Sequence, residues 1–435
     1  MQPAKIKIYS AAESSRLKYI AGVILGDILG LSWEVITDKR KLGKQPVINY
    51  SQGKLTGGFK ITPDPIMFEN GISRKDLVIG SWKELPVFFQ TSDDSDLPFD
   101  IFGASFFLVT RYEEYLPSEH DEHGRYKAKE STAYRNGFLD RPVVDMWCRE
   151  FSRCLLKHFP NLVFRRSEYR SLLTIDTDTP FAFLGKNIIR SFGELIHPAK
   201  GHQETVNERY RVITGEQKDP FDVFDYMIDN IEKHNTDSRF FFPVGNRSKH
   251  DENPSWRNEE YRKLIRRIAA RYEIGLHPSY TAGSDGSLIG EEISRLNSIT
   301  SKNISISRFH YLKLFMPDSY SRISQSGISE DYSMGYHDEP GFRAGIARPF
   351  YFYNVTKDVQ TKLLIIPFQI MDVMLSDYKK LEPPMAKEII GNIIAETRKA
   401  GGLFVSIWHN TSLVDDQKGR GWREAFEYTL ITQRP

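Results

Sequence analysis

From Leu172 onward, short apolar segments that fit β-strands alternate with longer segments of helical periodicity. This alternation predicts βαβ units in a parallel sheet or barrel, with the carboxyl ends of all strands at one face. About seven units are recognisable, one fewer than in the common eight-fold barrel. The candidate strands are Leu172–Asp176, Arg239–Val244, Ile274–His277, Ile304–Tyr311, Asp331–Tyr336, Leu363–Ile370 and Leu403–His409.

The first candidate strand leads into two carboxylates, Asp176 and Asp178. Residues two apart on a strand point to the same side, so both can reach one point where the strand opens to solvent. An Asp-rich turn that caps a helix at Thr179-Pro180 would explain the same residues without any function. The functional interpretation gains weight because the later strands also end in polar residues.

Polar or ionisable residues follow all seven candidate strands. Each has a structural explanation, such as a helix cap, but structural residues have no reason to choose the same end of every strand. Carboxylates, imidazoles and a guanidinium suit a divalent cation with acid/base chemistry, and the mixed oxygen and nitrogen donors favour zinc, manganese, iron or cobalt. These residues are Asp176, Asp178, Asn246, His277, Arg308, His310, Asp331, Asp372, His409 and Asn410.

Several other classes of protein are disfavoured. No Gly-rich phosphate cradle follows the first strand, and no Gly-x-Ser-x-Gly segment supports a serine hydrolase. The 59 basic and 57 acidic residues leave a formal charge of +2 without a long block of one sign, so a nucleic-acid partner is not expected.

The length of 435 residues favours two domains. We expect a smaller mixed α/β domain over residues 1–166 and the barrel-like α/β domain over residues 167–435. The first domain has no recognisable chemistry, and its Arg111, Glu113 and Glu114 are interpreted as a structural ion-pair network.

Four smaller predictions concern location and local structure. The N-terminus lacks the pattern of a signal peptide, so a cytoplasmic location is expected. The apolar stretch Tyr19–Ile36 contains charged residues and is interpreted as a buried amphipathic helix, not a membrane span. Cys148 and Cys154 are too far apart on one predicted helix to form a disulfide. The polar segment Ile189–Glu216 is predicted to be a long loop or insertion near the barrel mouth.

Five segments occur in the order found in one enzyme family: Thr174-Ile175-Asp176, Arg239-Phe240-Phe241-Phe242-Pro243-Val244-Gly245, Gly275-Leu276-His277-Pro278-Ser279-Tyr280, Ser307-Arg308-Phe309-His310-Tyr311 and Ser406-Ile407-Trp408-His409-Asn410. At these residues the chain resembles the polysaccharide deacetylase superfamily, the chitooligosaccharide-deacetylase-like carbohydrate esterases. The resemblance covers Leu172 to Arg420 and implies a distorted seven-stranded (β/α) barrel.

Further segments are typical of a bacterial branch that is associated with surface polysaccharides and carries an extra N-terminal domain. They are Phe99-Asp100-Ile101-Phe102, Thr110-Arg111-Tyr112-Glu113-Glu114-Tyr115, Asp331-Tyr332-Ser333-Met334-Gly335-Tyr336 and Gly341-Phe342-Arg343-Ala344-Gly345.

The resemblance also implies roles for individual residues. Asp176 would be the general base and His409 the general acid. Arg308 would orient the base, and Asp178 and His277 would bind the metal.

Two departures from the family pattern affect the expected metal site. Thr177 separates two aspartates that are adjacent in the family, so Asp178 binds from a shifted position. Thr281 stands where the family has its second metal histidine, four residues after the first. His310 is the nearest replacement and the candidate third ligand. Either His310 or water completes the shell, or the metal affinity is weak.

The predicted function is a metal-dependent hydrolase, with zinc the expected metal, that removes acetyl groups from N- or O-acetylated sugars of a cell-surface polysaccharide or its precursor. Tyr280 and Trp408 are candidate substrate-binding walls, although core aromatics would explain them equally well. Asp331 and Asp372 are further substrate-binding candidates. The alternatives are a catalytically degenerate carbohydrate-binding or assembly protein, and a glycoside hydrolase that pairs Asp176 with Asp372 or Asp331. The sequence does not indicate an oligomeric state.

Overall fold

The computed structural model describes residues 5–165, 167–185 and 202–435. Its first range contains a parallel sheet and a separate antiparallel hairpin. The strands are β1 (Lys5–Ser10), β2 (Ser32–Ile36), β3 (Val47–Tyr50), β4 (Phe59–Ile61), β5 (Gly80–Trp82) and β6 (Leu85–Val87). The sheet order is β2–β1–β3–β4, and β5 pairs with β6. The α-helices of this range are Ser15–Ala21, Ile101–Val109, Thr132–Arg135 and Val143–His158.

The stretch Tyr19–Ile36 is helical only as far as Ile28, so the prediction of a buried helix is confirmed for the first part and wrong for the rest. A π-helix over Gly22–Ile28 continues the first α-helix, and Gly30 then takes φ +67°. Glycine adopts this conformation readily, and a Cβ here would meet Arg165. The following residues form β2, because its aromatic and β-branched side chains favour a strand. No helix in the described part of the chain is both long and apolar enough to cross a membrane.

The larger sheet contains nine strands within the described residues. They are β7 (Arg170–Asp176), β8 (Ser238–Phe242), β9 (Glu273–Leu276), β10 (Ile306–Ser307), β11 (Glu330–Asp331), β12 (Phe350–Asn354), β13 (Val359–Ile365), β14 (Ile370–Met371) and β15 (Leu403–His409). Their order is β12–β13–β11–β10–β9–β8–β7–β15–β14, and all neighbours are parallel except β12 and β13. The accompanying α-helices are His202–Ile213, Phe224–His234, Glu259–Ala269, Tyr280–Ser284, Ser287–Thr300, Asp318–Gln325, Pro383–Ala400 and Gln417–Thr432.

The predicted α/β alternation is confirmed, whereas the predicted count of seven strands is corrected to nine. Residues 363–370 do not form one strand, because Pro367 lacks the N–H that a ladder needs and lies between β13 and β14. The strand predicted at Ile304–Tyr311 shortens to β10, since the chain turns at Tyr311 with φ +59°. Closure into a barrel stays a prediction, because the ladders among the described residues run from β12 to β14 without joining these two edge strands.

Two predictions on local structure can also be compared with the structure. Cys148 and Cys154 lie on the helix Val143–His158 and are free thiols. Residues 189–201 of the predicted long loop lie outside the described residues. The rest of that segment is largely the helix His202–Ile213, so the loop prediction is wrong there.

A buried ion-pair network joins the N-terminal region to the region of the larger sheet. Arg111 donates to Glu113 at 2.9 Å and to Glu114 at 2.7 Å, and Arg343 donates to Glu114 at 2.6 Å. The network predicted for the first three residues is therefore confirmed, with Arg343 as a member that the sequence did not indicate. One hydrophobic cluster also includes residues of both regions. A domain boundary near residue 166 stays a prediction.

The network should make the fold sensitive to acid. Burial raises the pKa of Glu114, but Arg343 and Arg111 outweigh burial and hold the pKa at about 2, below its ordinary value of 4.5. We expect Glu114→Gln to lower the free energy of unfolding by about 3 to 5 kcal/mol at neutral pH, because it leaves buried guanidinium groups without their partner. A depressed carboxyl pKa stabilises the fold above the unfolded pKa, so the difference between variant and wild type should shrink as the pH falls from 4.5 to about 2.

Urea unfolding of wild type and variant over this pH range measures both effects. The matched control is Glu13→Gln, which removes only an exposed ion pair with Lys18 and should leave the unfolding midpoint nearly unchanged. A Glu114→Gln effect that stays constant down to the lowest pH would contradict the electrostatic explanation.

Candidate functional site

The carboxyl ends of β7, β9, β10 and β15 bring most of the predicted site residues together. Asp176 and His409 are direct partners in the parallel ladder between β7 and β15, so their side chains leave the sheet side by side. Together with Asp178, His277 and His310 they line a cavity of about 300 Å³. This arrangement places carboxylates and imidazoles around one volume that a small molecule can enter.

Asp178, His277 and His310 direct their ligand atoms to a common point. These atoms lie within 4.8 Å of one another. His277 Nε2 is 3.0 Å from Asp178 Oδ1, and His310 Nε2 is 3.5 Å from Asp178 Oδ2. Because the ring proton of His277 lies on Nδ1, Nε2 and Asp178 Oδ1 face each other as two buried acceptors without a donor among the described residues, which is costly unless another group satisfies them. The three residues therefore fit a divalent cation.

Both imidazoles of this group are held by hydrogen bonds on the side away from the cavity. His277 Nδ1 donates to the carbonyl oxygen of Arg308 at 2.6 Å, and His310 Nδ1 donates to Asp251 Oδ1 at 3.0 Å. Such bonds fix the tautomer in which Nε2 is free to bind a metal. Asp251 is itself fully buried and accepts hydrogen bonds from Ser248 and from the backbone N–H of Tyr280.

Electrostatic attraction shifts the pKa values of Asp178 and His310 in opposite directions. Burial would raise the pKa of Asp178, but His310 and His277 hold it well below its usual range. Burial would lower the pKa of His310, but Asp178 and Asp251 raise it to about 9. The carboxylates thus stabilise a positive charge at this point of the cavity. A bound cation could supply this charge as well as a proton does.

Asp176 is oriented by a buried arginine. Arg308 Nη1 donates to Asp176 Oδ1 at 3.3 Å, and Arg308 Nε donates to the carbonyl oxygen of Tyr332 at 3.1 Å. The guanidinium also lies over the Phe241 ring at 4.7 Å. Because Arg308 engages Oδ1, the other oxygen of Asp176 is left for the cavity.

His409 is held on the other side of the same cavity by Asp372. Its Nδ1 donates to Asp372 Oδ1 at 2.6 Å, and its backbone N–H donates to Asp372 Oδ2 at 2.7 Å. His409 Nε2 lies 4.0 Å from Asp176 Oδ2 and 3.6 Å from Asp178 Oδ2. Burial lowers the pKa of His409, but Asp372 and the two cavity aspartates raise it to about 10. The geometry favours an imidazolium whose free N–H faces the cavity.

The four residues predicted to bind substrate do not line the cavity, so these predictions need correction. They are Trp408, Asp372, Asp331 and Tyr280. Trp408 is fully buried and packs against Trp422 and Phe426, because successive residues of β15 alternate between the two faces of the sheet. Asp372 does not line the cavity and acts through His409. Asp331 is also fully buried and accepts hydrogen bonds from two serine hydroxyl groups.

Tyr280 is half-buried and is not part of the cavity lining. Its ring contacts those of His250 and Tyr311, which do line the cavity. The prediction of an aromatic wall is therefore wrong in its residues, since Tyr311, Tyr378 and His250 take that place.

Two strand-end asparagines also lie outside the site. Asn246 is exposed and does not line the cavity. Asn410 is buried and donates hydrogen bonds to the carbonyl oxygens of Thr179 and Phe221. Asn410 therefore has a structural role, because it joins two loops through these hydrogen bonds.

Comparisons with known proteins give limited likenesses. A family of unknown function, DUF7033, matches residues 6–160. No curated protein matches the chain. Among solved structures, a protein assigned as a polysaccharide deacetylase from Mycobacterium smegmatis is 16% identical with a TM-score of 0.40, and the match covers 61% of this chain and 84% of that one.

Two further structures match the same share of the chain. A polysaccharide deacetylase from Bacillus cereus is 13% identical with a TM-score of 0.30, and the match covers 61% of this chain and 87% of that one. A CE4 family pseudoenzyme from Bacillus anthracis is 12% identical with a TM-score of 0.31, with 61% and 60% covered. Because all these values are low, the function proposed below rests on the side chains of the cavity.

The candidate ligands can be tested by metal affinity. We expect Asp178→Ala and His277→Ala each to weaken zinc binding by at least about ten- to a hundredfold, the scale known for loss of the outer groups that only orient metal ligands. Competition of the purified proteins with a chromophoric chelator measures this. Asp377→Ala removes an exposed carboxylate from the rim of the same cavity and serves as the control. Wild-type affinity in both ligand variants would rule out this site.

The substitution Thr281→His tests whether His310 already completes the site. Thr281 is exposed on the short helix Tyr280–Ser284, whereas His310 lies at the ligand position. We therefore expect Thr281→His to leave zinc affinity unchanged or to lower it. A clear gain in affinity, measured by the same competition, would show that the third position is vacant in the natural sequence.

Proposed function

We propose that the protein is a metal-dependent hydrolase that removes acetyl groups from N-acetylated or O-acetylated sugars of a cell-surface polysaccharide or its precursor. The observation that carries this proposal is the convergence of three groups in one cavity: the three candidate ligands, the carboxylate of Asp176 and the imidazole of His409. Metal-assisted hydrolysis of an acyl group needs these three components.

Asp178, His277 and His310 would hold the metal, and zinc is the preferred candidate for two imidazoles and one carboxylate. When bound, a divalent cation supplies Lewis-acid polarisation of the acyl group and makes water more acidic. The remaining steps belong to side chains of the protein.

Asp176 is the proposed general base. Its Oδ2 faces the cavity, while Oδ1 accepts the hydrogen bond from Arg308. The hydrogen bond from the guanidinium fixes the rotamer of the carboxylate, so that Oδ2 can accept the proton of an attacking water. Arg308 acts only through Asp176, because it is fully buried.

His409 is the proposed general acid. Asp372 accepts a hydrogen bond from Nδ1–H of His409, so the proton that His409 can transfer is the one on Nε2, next to Asp176 and the cavity. Transfer of this proton to the leaving nitrogen or oxygen of the sugar completes cleavage of the acyl bond. The raised pKa of His409 supports its presence in the protonated form at neutral pH.

A sugar substrate is supported by the resemblance in sequence and by the cavity walls. Tyr311 and Tyr378 provide partly exposed aromatic rings, and Thr411 and Glu252 add polar groups at the rim. Aromatic faces combined with a few polar groups are typical of sites that bind small polar ligands.

The glycoside hydrolase alternative is not supported by the site. That mechanism needs a second carboxylate across the cavity from Asp176. Asp331 and Asp372, the two candidates, are fully buried and do not line the cavity.

The base is tested by Asp176→Asn. This change keeps the size of the side chain and removes proton acceptance, so turnover should fall by about 10²- to 10⁴-fold. Acetate release from acetylated amino-sugar oligomers in the presence of zinc or manganese measures the effect, and zinc affinity should stay near that of wild type. Asp377→Asn, a rim carboxylate of the same cavity, is the control and should have a much smaller effect.

Wild-type turnover in Asp176→Asn would refute the role of Asp176. If the wild-type protein binds zinc but releases no acetate across a broad panel of acetylated sugars, the carbohydrate-binding alternative replaces the proposed activity.

A further inference from the structure

A tight loop of the N-terminal region reaches the mouth of the cavity. The loop Asp121–Arg125 is closed by backbone hydrogen bonds from Asp121 to Arg125 at 3.0 Å and from Gly124 to Asp121 at 2.9 Å. The Asp121 carboxylate accepts the backbone N–H groups of His123 and Arg125. These internal bonds give the loop a defined shape that does not depend on a ligand.

Close packing of the loop against the sheet region is visible at two of its residues. His123 Nδ1 and the hydroxyl of Tyr280 are hydrogen-bonded at 3.1 Å. Gly124 has φ +76°, and a Cβ at this position would lie 2.7 Å from the Phe315 ring. Only glycine tolerates both the positive φ and the short distance to Phe315, so the loop packs closely against the segment after His310.

Arg125 makes the contact that bears on the candidate metal site. Its Nη1 donates to the carbonyl oxygen of Tyr311 at 2.9 Å, and its Nη2 donates to the hydroxyl of Tyr378 at 3.1 Å. Its Nε donates to Asp121 at 2.7 Å, which anchors the guanidinium to the loop. The guanidinium of Arg125 therefore uses its N–H groups in hydrogen bonds within the protein. Two of these bonds fix the backbone of Tyr311 and the side chain of Tyr378 in the cavity wall.

The turn that Arg125 holds is conformationally strained. Tyr311 has φ +59° and Leu312 has φ +51°, and neither residue is a glycine. Bulky residues avoid this region, so the turn needs support from surrounding structure. The turn follows His310 directly, and a change in its backbone would move the imidazole relative to Asp178 and His277.

We infer that Arg125 of the N-terminal region is a positioning residue for the active centre, through its support of the turn His310–Leu312 and of Tyr378. The inference rests on the proposed metal site. The N-terminal region matches a family of unknown function. In this inference its role is to fix the position of a metal ligand next to the larger sheet. The ligand whose binding Arg125 would affect is a divalent cation held by Asp178, His277 and His310.

The test is a titration of metal-free protein with Co²⁺, whose visible absorption spectrum reports the geometry of the ligands. We expect Arg125→Met to weaken Co²⁺ binding by about ten- to a hundredfold, the effect of losing outer groups that orient ligands, and to change the shape of the spectrum. Arg125→Lys keeps the charge beside Asp121 but loses the two-pronged contact, so an intermediate affinity is expected.

Arg16 provides a matched control. It is equally buried in the N-terminal region, pairs with Asp358, and donates to the carbonyl oxygens of Ile66 and Gly71, away from the cavity. Arg16→Met should destabilise the fold in a similar way and leave Co²⁺ affinity and spectrum unchanged. If Arg125→Met fails to fold by circular dichroism, Arg125→Lys provides the comparison.

Three results would overturn the inference. Wild-type affinity and spectrum in the folded Arg125 variants would refute the positioning role alone. An equal loss of affinity in Arg16→Met would show that the effect is general instability. If the wild-type protein binds no Co²⁺, the proposed metal site fails, and the positioning role fails with it.

Discussion

The parallel ladder between β7 and β15 is the constraint on which the site depends. It pairs seven residues of each strand and ends with Asp176 opposite His409. If either strand slipped by one residue against the other, its site residue would turn to the opposite face of the sheet and the two side chains would separate, so the hydrogen-bond register sets the distance between the proposed base and acid. The apolar residues of β7 and β15, which are buried, stabilise this register through the hydrophobic effect. Core packing and site geometry are thus two consequences of one alignment.

The three imidazoles of the site are stable in a buried place because each has a second partner outside the cavity. Asp372 holds His409, Asp251 holds His310, and the carbonyl of Arg308 holds His277. A buried charge without such a partner would cost several kcal/mol, by the usual order of magnitude. The outer partners also restrict rotation, so the side chains are held in the arrangement that binding requires. Asp251 and Asp372 thus contribute to the geometry of the site although neither of them lines the cavity.

The sequence predicted the inner residues of the site better than the outer ones. Asp176, His277 and His409 stand at strand ends, a position that periodicity alone reveals. Asp251 lies in a loop among other ionisable residues, with no pattern that distinguishes it. Arg125 belongs to a distant part of the chain, and its contact with Tyr311 depends on how two regions pack. Fold class followed from the alternation of strands and helices, whereas strand number did not, because short strands such as β14 carry too few residues for a periodic signal.

The three candidate ligands come from segments that are separated along the chain by whole strand–helix units. Gathering them in an unfolded chain costs the conformational entropy of closing long loops before any ligand bond forms. A cation would therefore bind the folded protein more tightly than the unfolded chain, and this difference in binding free energy would add to the stability of the native protein. Maturation would then proceed in a fixed order, folding first and metal uptake second. The identity of the ion acquired in a cell would depend on which divalent metals are available when the completed protein meets them.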